Sequence, residues 1–193
     1  MAEADIPKKQ VIMEAAARLF RDRGYSATSM RDLAKAVHLQ ASSLYNHINS
    51  KQELLREICF QNANHFLAGI ENIEKEYATP AEQLEQLIQH HLIVATSDAT
   101  SITSFNDEWR HLEEPYLTEF VQLRKRYENR FRAIIQAGID QGIFRDADPT
   151  IAMYTVLSSL RWIYDWYRPN RSKSVAIIGQ EVSKLLLSGL KKT

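Results

Sequence analysis

The sequence predicts an all-α protein of about nine helices, opening with a three-helix head. Three observations point there. Apolar residues recur at helical spacing along most of the chain. Runs of β-branched residues with period two are absent. The six glycines and five prolines gather where the periodic segments start and stop. Pro7, Pro80, Pro115 and Pro149 each lie near the start of a helical pattern, where a missing N–H costs little. Gly24 and Gly142 lie near helix ends.

The first helix runs from about Pro7 to Arg23, with Val11, Ile12, Ala15, Ala16, Leu19 and Phe20 on its apolar face. Gly24 stops it. Thr28 or Ser29 caps the second helix, whose inner face is Met30, Leu33, Ala34 and Val37. Leu44, Tyr45 and Ile48 give the third its inner face. Ser50, with Glu53 three residues on, reads as a capping box opening a fourth helix that runs to about Tyr77. Later helices are expected at about 80–96, 102–112, 115–138, 149–168 and 173–190.

The last two are apolar over wide arcs. Ile151, Tyr154, Leu157, Leu160, Trp162, Ile163 and Trp166 leave one of them little polar face. Val175, Ile178, Val182 and Leu185 step along the other. Such faces need cover, either from the chain's own core or from a second copy in a two-fold four-helix bundle.

The 193 residues suffice for one large domain or two small ones, and an apolar fraction of 45% supports a core. Formal net charge is zero, so global charge identifies no partner. Residues 1–58 carry nine basic and seven acidic side chains, too mild an excess to suggest nucleic acid alone. The single cysteine, Cys59, precludes an intrachain disulfide and lies in an apolar stretch, as a small buried hydrophobe would. No run approaches the ~18 apolar residues of a membrane span. The first seven residues lack a signal-peptide pattern, so a cytoplasmic protein is expected.

Residues 28–51 carry the chemistry. They read as two short helices joined by a tight turn, the second bearing small polar residues on its outer side. That is the helix-turn-helix arrangement, whose second helix enters the major groove of DNA. His38 occupies the turn, where a left-handed backbone is usual and His is tolerated. Gln40 starts the reading helix, a weaker cap than Ser or Thr. Ala41, Ser42 and Ser43 allow close approach to base edges, and the two hydroxyls can donate or accept there. Tyr45, Asn46, His47 and Lys51 suit phosphates, which fix register without reading sequence. From the residues alone, a solvated helical hairpin is an equal alternative.

The motif Thr28-x5-Ala34-x9-Leu44-Tyr45, followed by Ser50-Lys51-x-Glu53-Leu54-Leu55, resembles the N-terminal signature of TetR-family transcriptional repressors. The preceding Ala15-Ala16-x2-Leu19-Phe20-x3-Gly24-Tyr25-x2-Thr28 is similar too. His38 stands where Gly is usual, Gln40 where Ser is usual, Ile48 for an aromatic and Asn49 where Pro often sits. The resemblance implies that Thr28, Tyr45, His47 and Lys51 hold phosphates, while Gln40, Ala41, Ser42, Ser43 and Asn46 face or flank bases. It further implies a head over residues 1–50 and a ligand-binding, dimerising domain over 51–193. A homodimer through the last two helices would bind double-stranded operator DNA. A small-molecule effector would shift the two heads out of register, with the fourth helix carrying the movement.

For the effector, Phe105, Trp109, Leu112 and Tyr116, with Trp162 and Trp166, either line an apolar cavity or are packed core. Arg124, Lys125, Arg126, Arg130 and Arg132 are either a solvated face or a mouth for an anion, since Arg matches phosphate geometry. Phe105-Asn-Asp-Glu-Trp-Arg, Gly142-Ile-Phe-x-Asp-x-Asp-Pro149 and Leu160-Arg-Trp-Ile-Tyr-Asp-Trp-Tyr-Arg-Pro-Asn170 are similar to TetR-family repressors of fatty-acid, phenylacetate and sterol catabolism. That subgroup implies an acyl-CoA effector; a drug or aromatic acid is the alternative.

Two other classes compete. An enzyme is not expected, because no nucleophile motif, phosphate loop or dinucleotide fingerprint occurs. No cofactor or metal is expected either. Adjacent His90 and His91 point about 100° apart on a helix, and Asp107 with His111 supplies too few ligands. A helical adaptor binding protein through its apolar C-terminal faces would share the dimer but need no operator.

Overall fold

The computed structural model describes residues 8–167 and 173–191. Its α-helices are, in order, α1 (Lys8–Arg23), α2 (Met30–Ala36), α3 (Ala41–Leu44), α4 (Lys51–Glu76), α5 (Pro80–Ser97), α6 (Ala99–Asp107), α7 (Tyr116–Asp140), α8 (Pro149–Arg161), α9 (Ile163–Trp166) and α10 (Val175–Leu190). Only Trp162 separates α8 from α9, so counting that pair as one broken helix gives nine among the described residues. No strand occurs among them, only an isolated bridge between Phe144 and Lys191. The helix start expected at Pro7, and Arg168, Pro169 and Asn170 of the Leu160–Asn170 motif, lie outside the described residues.

Contacts divide the chain into two units. The first takes residues up to Asn62 together with Thr100–Val121; the second takes Ala63–Ala99 and residues from Gln122 onward.

In the first unit, Ile12, Ala15, Ala16 and Phe20 of α1 are buried, as are Leu33, Ala34, Leu44, Ile48, Leu54, Leu55 and Ile58. Burying each large aliphatic side chain contributes roughly 1.5–3 kcal/mol. Cys59 is buried, as its apolar neighbourhood implied. Gly24 ends α1 with φ +83° and donates its N–H to Phe20 O at 2.9 Å. Ser29 is the cap of α2, in a full capping box with Asp32. His38 takes φ +55° in the turn, the left-handed conformation its position called for.

Four expectations are corrected in this unit. Val11 is 37% exposed and lies outside the apolar face. The third helix closes at Leu44, so Tyr45 falls outside the inner face and is 52% exposed. The box at Ser50 is half formed. Glu53 N–H donates to Ser50 Oγ at 3.1 Å, but the Glu53 carboxylate accepts from the backbone and side chain of Asn49, both at 2.9 Å. The helix expected over 102–112 starts earlier, as α6, and its last turn tightens into a separate 3-10 turn, Trp109–His111.

In the second unit, Thr79 caps α5 in a full capping box with Glu82, and Pro80 takes the first helical turn. Asp148 caps α8, accepting from Thr150 and Ile151 N–H at 2.8 and 2.9 Å. α10 begins at Val175 because the Ser174 hydroxyl caps it through Ile177 N–H at 3.4 Å. Close packing uses small residues. A Cβ on Gly138 would stand 2.2 Å from the Phe144 ring, and one on Gly179 would stand 2.0 Å from Gln89 Oε1. The apolar arcs divide as follows: Leu160, Ile163 and Ile178 are buried, while Ile151, Tyr154, Trp162, Trp166, Ile177 and Leu185 are exposed.

Candidate nucleic-acid interface and effector region

The helix-turn-helix is built by local capping and one long lysine. Gln40 precedes α3 with an extended backbone and makes no side-chain cap bond. The first turn of α3 is therefore held by packing of Leu44 rather than by a cap. Gln40, Ala41, Ser42, Asn46 and His47 are exposed along with Tyr45, and Ser43 is half-buried. The chain thus presents a contiguous outer face of small and polar residues, of the kind a groove admits.

Thr28 and Lys51 sit differently from the phosphate contacts expected of them. Thr28 is 2% exposed, and its hydroxyl donates to Gly24 O at 2.9 Å. It ties the end of α1 to the start of α2; a buried hydroxyl already committed has no free face for a phosphate. Lys51 is half-buried, and its ammonium donates to Tyr25 O at 2.7 Å and Thr28 O at 2.8 Å. It also lies over the Tyr25 ring, 4.1 Å from the centroid. Burial holds its pKa below the usual lysine range. One N–H of the three remains uncommitted by these two bonds.

The same unit joins this head to α6 and the turn after it. Ser104 Oγ donates to Ala17 O at 3.0 Å, and Arg21 donates to Thr100 Oγ1 at 2.8 Å. Buried Asn62 donates to Ser101 Oγ at 2.6 Å. Tyr25 stacks on His111 with centroids 5.3 Å apart. Sequence reasoning missed this stitching, because no local spacing relates positions so far apart.

Of the residues expected around an effector, Phe105, Trp109, Leu112 and Tyr116 lie in the first unit, and Arg124, Trp162 and Trp166 in the second. Phe105 and Trp109 both pack on buried Phe120, at 5.6 and 5.8 Å between centroids. Phe60 bridges Phe120 and Tyr116, at 6.0 and 6.5 Å. Arg56 covers the Tyr116 ring at 4.2 Å. Leu112 is buried. Trp162 and Trp166 pair at 5.2 Å on an exposed face.

The cation run on α7 is largely neutralised. Arg130 pairs with Glu71 at 2.6 Å and with Glu74, Arg126 lies 3.8 Å from Glu71, and Arg124 lies 3.8 Å from Glu128. These pairs favour a solvated, ion-paired face over an open anion mouth.

A polar pair in the second unit was not read from the sequence. His91 Nδ1 and Tyr127 OH are sealed from solvent and have no hydrogen-bond partner. Both rings pack on Phe66, at 4.7 and 5.7 Å. Burial pushes the His91 imidazole down to about 4 and the Tyr127 phenol well above its usual range, so both stay uncharged. Leaving such a group unsatisfied costs roughly 1–3 kcal/mol. The sequence did carry a signal. His91 falls three and four residues after Ile88 and Leu87, on the apolar face of α5, and Tyr127 lies between Phe120 and Phe131 on α7.

An N-terminal helix-turn-helix followed by further helices, with no strand among the described residues, is the architecture of a DNA-binding regulator. Residues 12–58 match bacterial regulatory proteins of the tetR family, and residues 77–190 match the tetracyclin repressor-like C-terminal domain. The chain belongs to the TetR family of bacterial regulatory proteins. It is a helix-turn-helix transcriptional regulator and not an enzyme.

It is 26% identical over 186 residues to the HTH-type transcriptional repressor KstR2 of Rhodococcus jostii, covering 95% of this chain and 91% of that one. The structure of the ketosteroid transcriptional regulator KstR2 of Mycobacterium tuberculosis is similar with a TM-score of 0.92 and 25% identity, over 100% of this chain and 99% of the other. AibR, solved in complex with isovaleryl coenzyme A and operator DNA, is similar with a TM-score of 0.81 and 26% identity, over 94% and 98%. No helix among the described residues is long and apolar enough to cross a membrane.

Proposed function

We propose that this chain is a ligand-responsive cytoplasmic repressor whose homodimer holds a palindromic operator and leaves it when an apolar effector binds. The observation that carries the DNA part is the exposed small and polar face from Gln40 to His47, on a head whose backbone Lys51 pins from inside. Gln40, Ala41, Ser42, Ser43 and Asn46 meet or flank bases; Tyr45 and His47 hold phosphates. Lys51 contributes its remaining N–H, and Thr28 steadies the head through its bond to Gly24 without touching DNA. The head ends near residue 50, and residues 51–193 carry dimerisation and the effector.

The dimer is supported by where apolar surface is left over. Ile151, Tyr154, Trp166, Ile177 and Leu185 of α8, α9 and α10 are exposed, as is Trp162 between the first two. Beside them an open groove of about 300 Å³ is lined by Ile151, Val156, Leu185, Leu186 and Leu190. A second copy covering this face in a four-helix bundle removes it from water. The two heads then meet two half-sites related by the same two-fold axis.

The effector class to try first is an acyl-CoA thioester, supported by the AibR complex with isovaleryl coenzyme A. Release follows only if the effector prefers the arrangement with the wrong head spacing. Gel shifts with promoter DNA flanking its own gene, run with a panel of CoA esters beside thermal unfolding, test the proposal. A long-chain or aromatic acyl-CoA is expected to raise the melting temperature and release the operator. If the panel does neither while free small molecules do both, the thioester assignment is overturned.

A further inference from the structure

We propose that His91 and Tyr127 form the polar end of a binding site in the second unit, which takes an uncharged oxygen, a ketone or thioester carbonyl or a hydroxyl, on an otherwise apolar molecule. This inference deepens the effector reading above and rests on it.

The geometry carries it. Two polar atoms, His91 Nδ1 on α5 and Tyr127 OH on α7, are closed to solvent and unpartnered. Their rings share one apolar neighbour, Phe66. Phe131 closes on Tyr127 at 6.0 Å and is itself fully buried. Neither His91 nor Tyr127 is fully enclosed as a whole residue. Each therefore keeps surface against which a second molecule can lie. Polar atoms in such a setting are normally satisfied, by protein, water or ligand.

The chemistry selects the partner. The phenol is a neutral donor, and the imidazole, also uncharged, offers Nδ1 as donor or acceptor according to its tautomer. A carbonyl accepts from both; a hydroxyl accepts from Tyr127 and donates to Nδ1. A carboxylate would enter an apolar site without a counter-charge, since the nearby Arg130 is already held by Glu71 and Glu74. The site therefore discriminates against the free acid of the same skeleton.

The test uses three shape-matched probes on the full-length protein: 2-acetylnaphthalene, 2-ethylnaphthalene and 2-naphthoate. Isothermal titration is expected to show the ketone binding about tenfold more tightly than the hydrocarbon or the acid, the worth of one or two neutral hydrogen bonds. Tyr127→Phe, which removes one oxygen and keeps the ring, should erase the preference for the ketone over the hydrocarbon. His91→Phe should act alike, and 15N signals of His91 in the parent protein should move with the ketone only. Equal affinities across the trio, a preference for the acid, no binding of any probe, or a ketone preference that survives both variants overturns the assignment. Operator release is scored separately by gel shift. A ketone preference lost in Tyr127→Phe without any release supports this site and counts against the effector reading instead.

Discussion

Gln52 donates its side-chain amide to the carbonyl of His111 at 2.6 Å. Its own carbonyl accepts the N–H of Glu113 at 3.2 Å, so one side chain in the first turn of α4 holds the 111–113 segment at both ends. That segment runs between Trp109 and α7, and so links members of the aromatic cluster of Phe105, Trp109 and Phe120. A rearrangement of the cluster would therefore reach the start of α4, and with it the reading helix, through this amide. Gln52→Ala is expected to leave operator affinity near the parent value but to blunt effector-driven release. Gel shifts with and without effector measure both; undiminished release in the variant contradicts the coupling. The stability loss should be small, about 1 kcal/mol, because the bonds are exposed.

His38 holds a left-handed backbone, φ +55°, in the turn between α2 and α3. That conformation costs a residue with a Cβ roughly 1–2 kcal/mol, against roughly 0.5–1 kcal/mol for the extra freedom of Gly in the unfolded chain. His38→Gly should raise the unfolding free energy by about 0.5–1 kcal/mol, and His38→Val should lower it by more. Denaturant titration separates them. A destabilised glycine variant would show that the imidazole does something other than tolerate the turn.

Thr28 and Tyr45 make a paired test of the head. Thr28→Val keeps the shape and deletes the bond to Gly24 O. It should cost about 1 kcal/mol of stability, with operator affinity unchanged well below the melting temperature. Tyr45→Phe should do the reverse: no loss of stability, and weaker binding to every duplex alike, as a phosphate contact requires. Loss confined to one operator base would contradict the role given to Tyr45.

His91 makes the second unit sensitive to acid. Its folded-state pKa, about 4, lies below its ordinary 6.5 because burial disfavours the cation. The unfolded chain therefore binds the proton first. Stability from this group is full above pH 6.5 and is lost as pH falls from there toward 4. His91→Phe should flatten the fall in melting temperature across that window. An unchanged slope would mean that the imidazole is solvated.

Much of the fold was legible because its signals are local. Gly24, the cap before α2, the prolines that open α5 and α8, and the apolar steps along α10 each act within a turn or two of their own position. The reading helix was harder. Its weak cap at Gln40 and closure at Leu44 turn Tyr45 outward, against the apolar spacing that placed it inside. Thr28 and Lys51 match a phosphate-binding pattern in type, yet their polar atoms face the head's own carbonyls. The His91–Tyr127 pair was hidden for another reason: a single polar residue on an apolar helix face becomes informative only when the opposite wall is known to leave it unpaired.

The central claim is that two copies of this chain grip symmetric duplex through the exposed face around α3. Sedimentation velocity of the purified protein with a labelled palindromic duplex, over a series of salt concentrations, tests it most directly. Two protomers are expected on each two-half-site duplex, with an affinity that falls steeply with salt, as several phosphate contacts demand. A protein that sediments as a monomer at all concentrations, or a duplex affinity indifferent to salt, would contradict it.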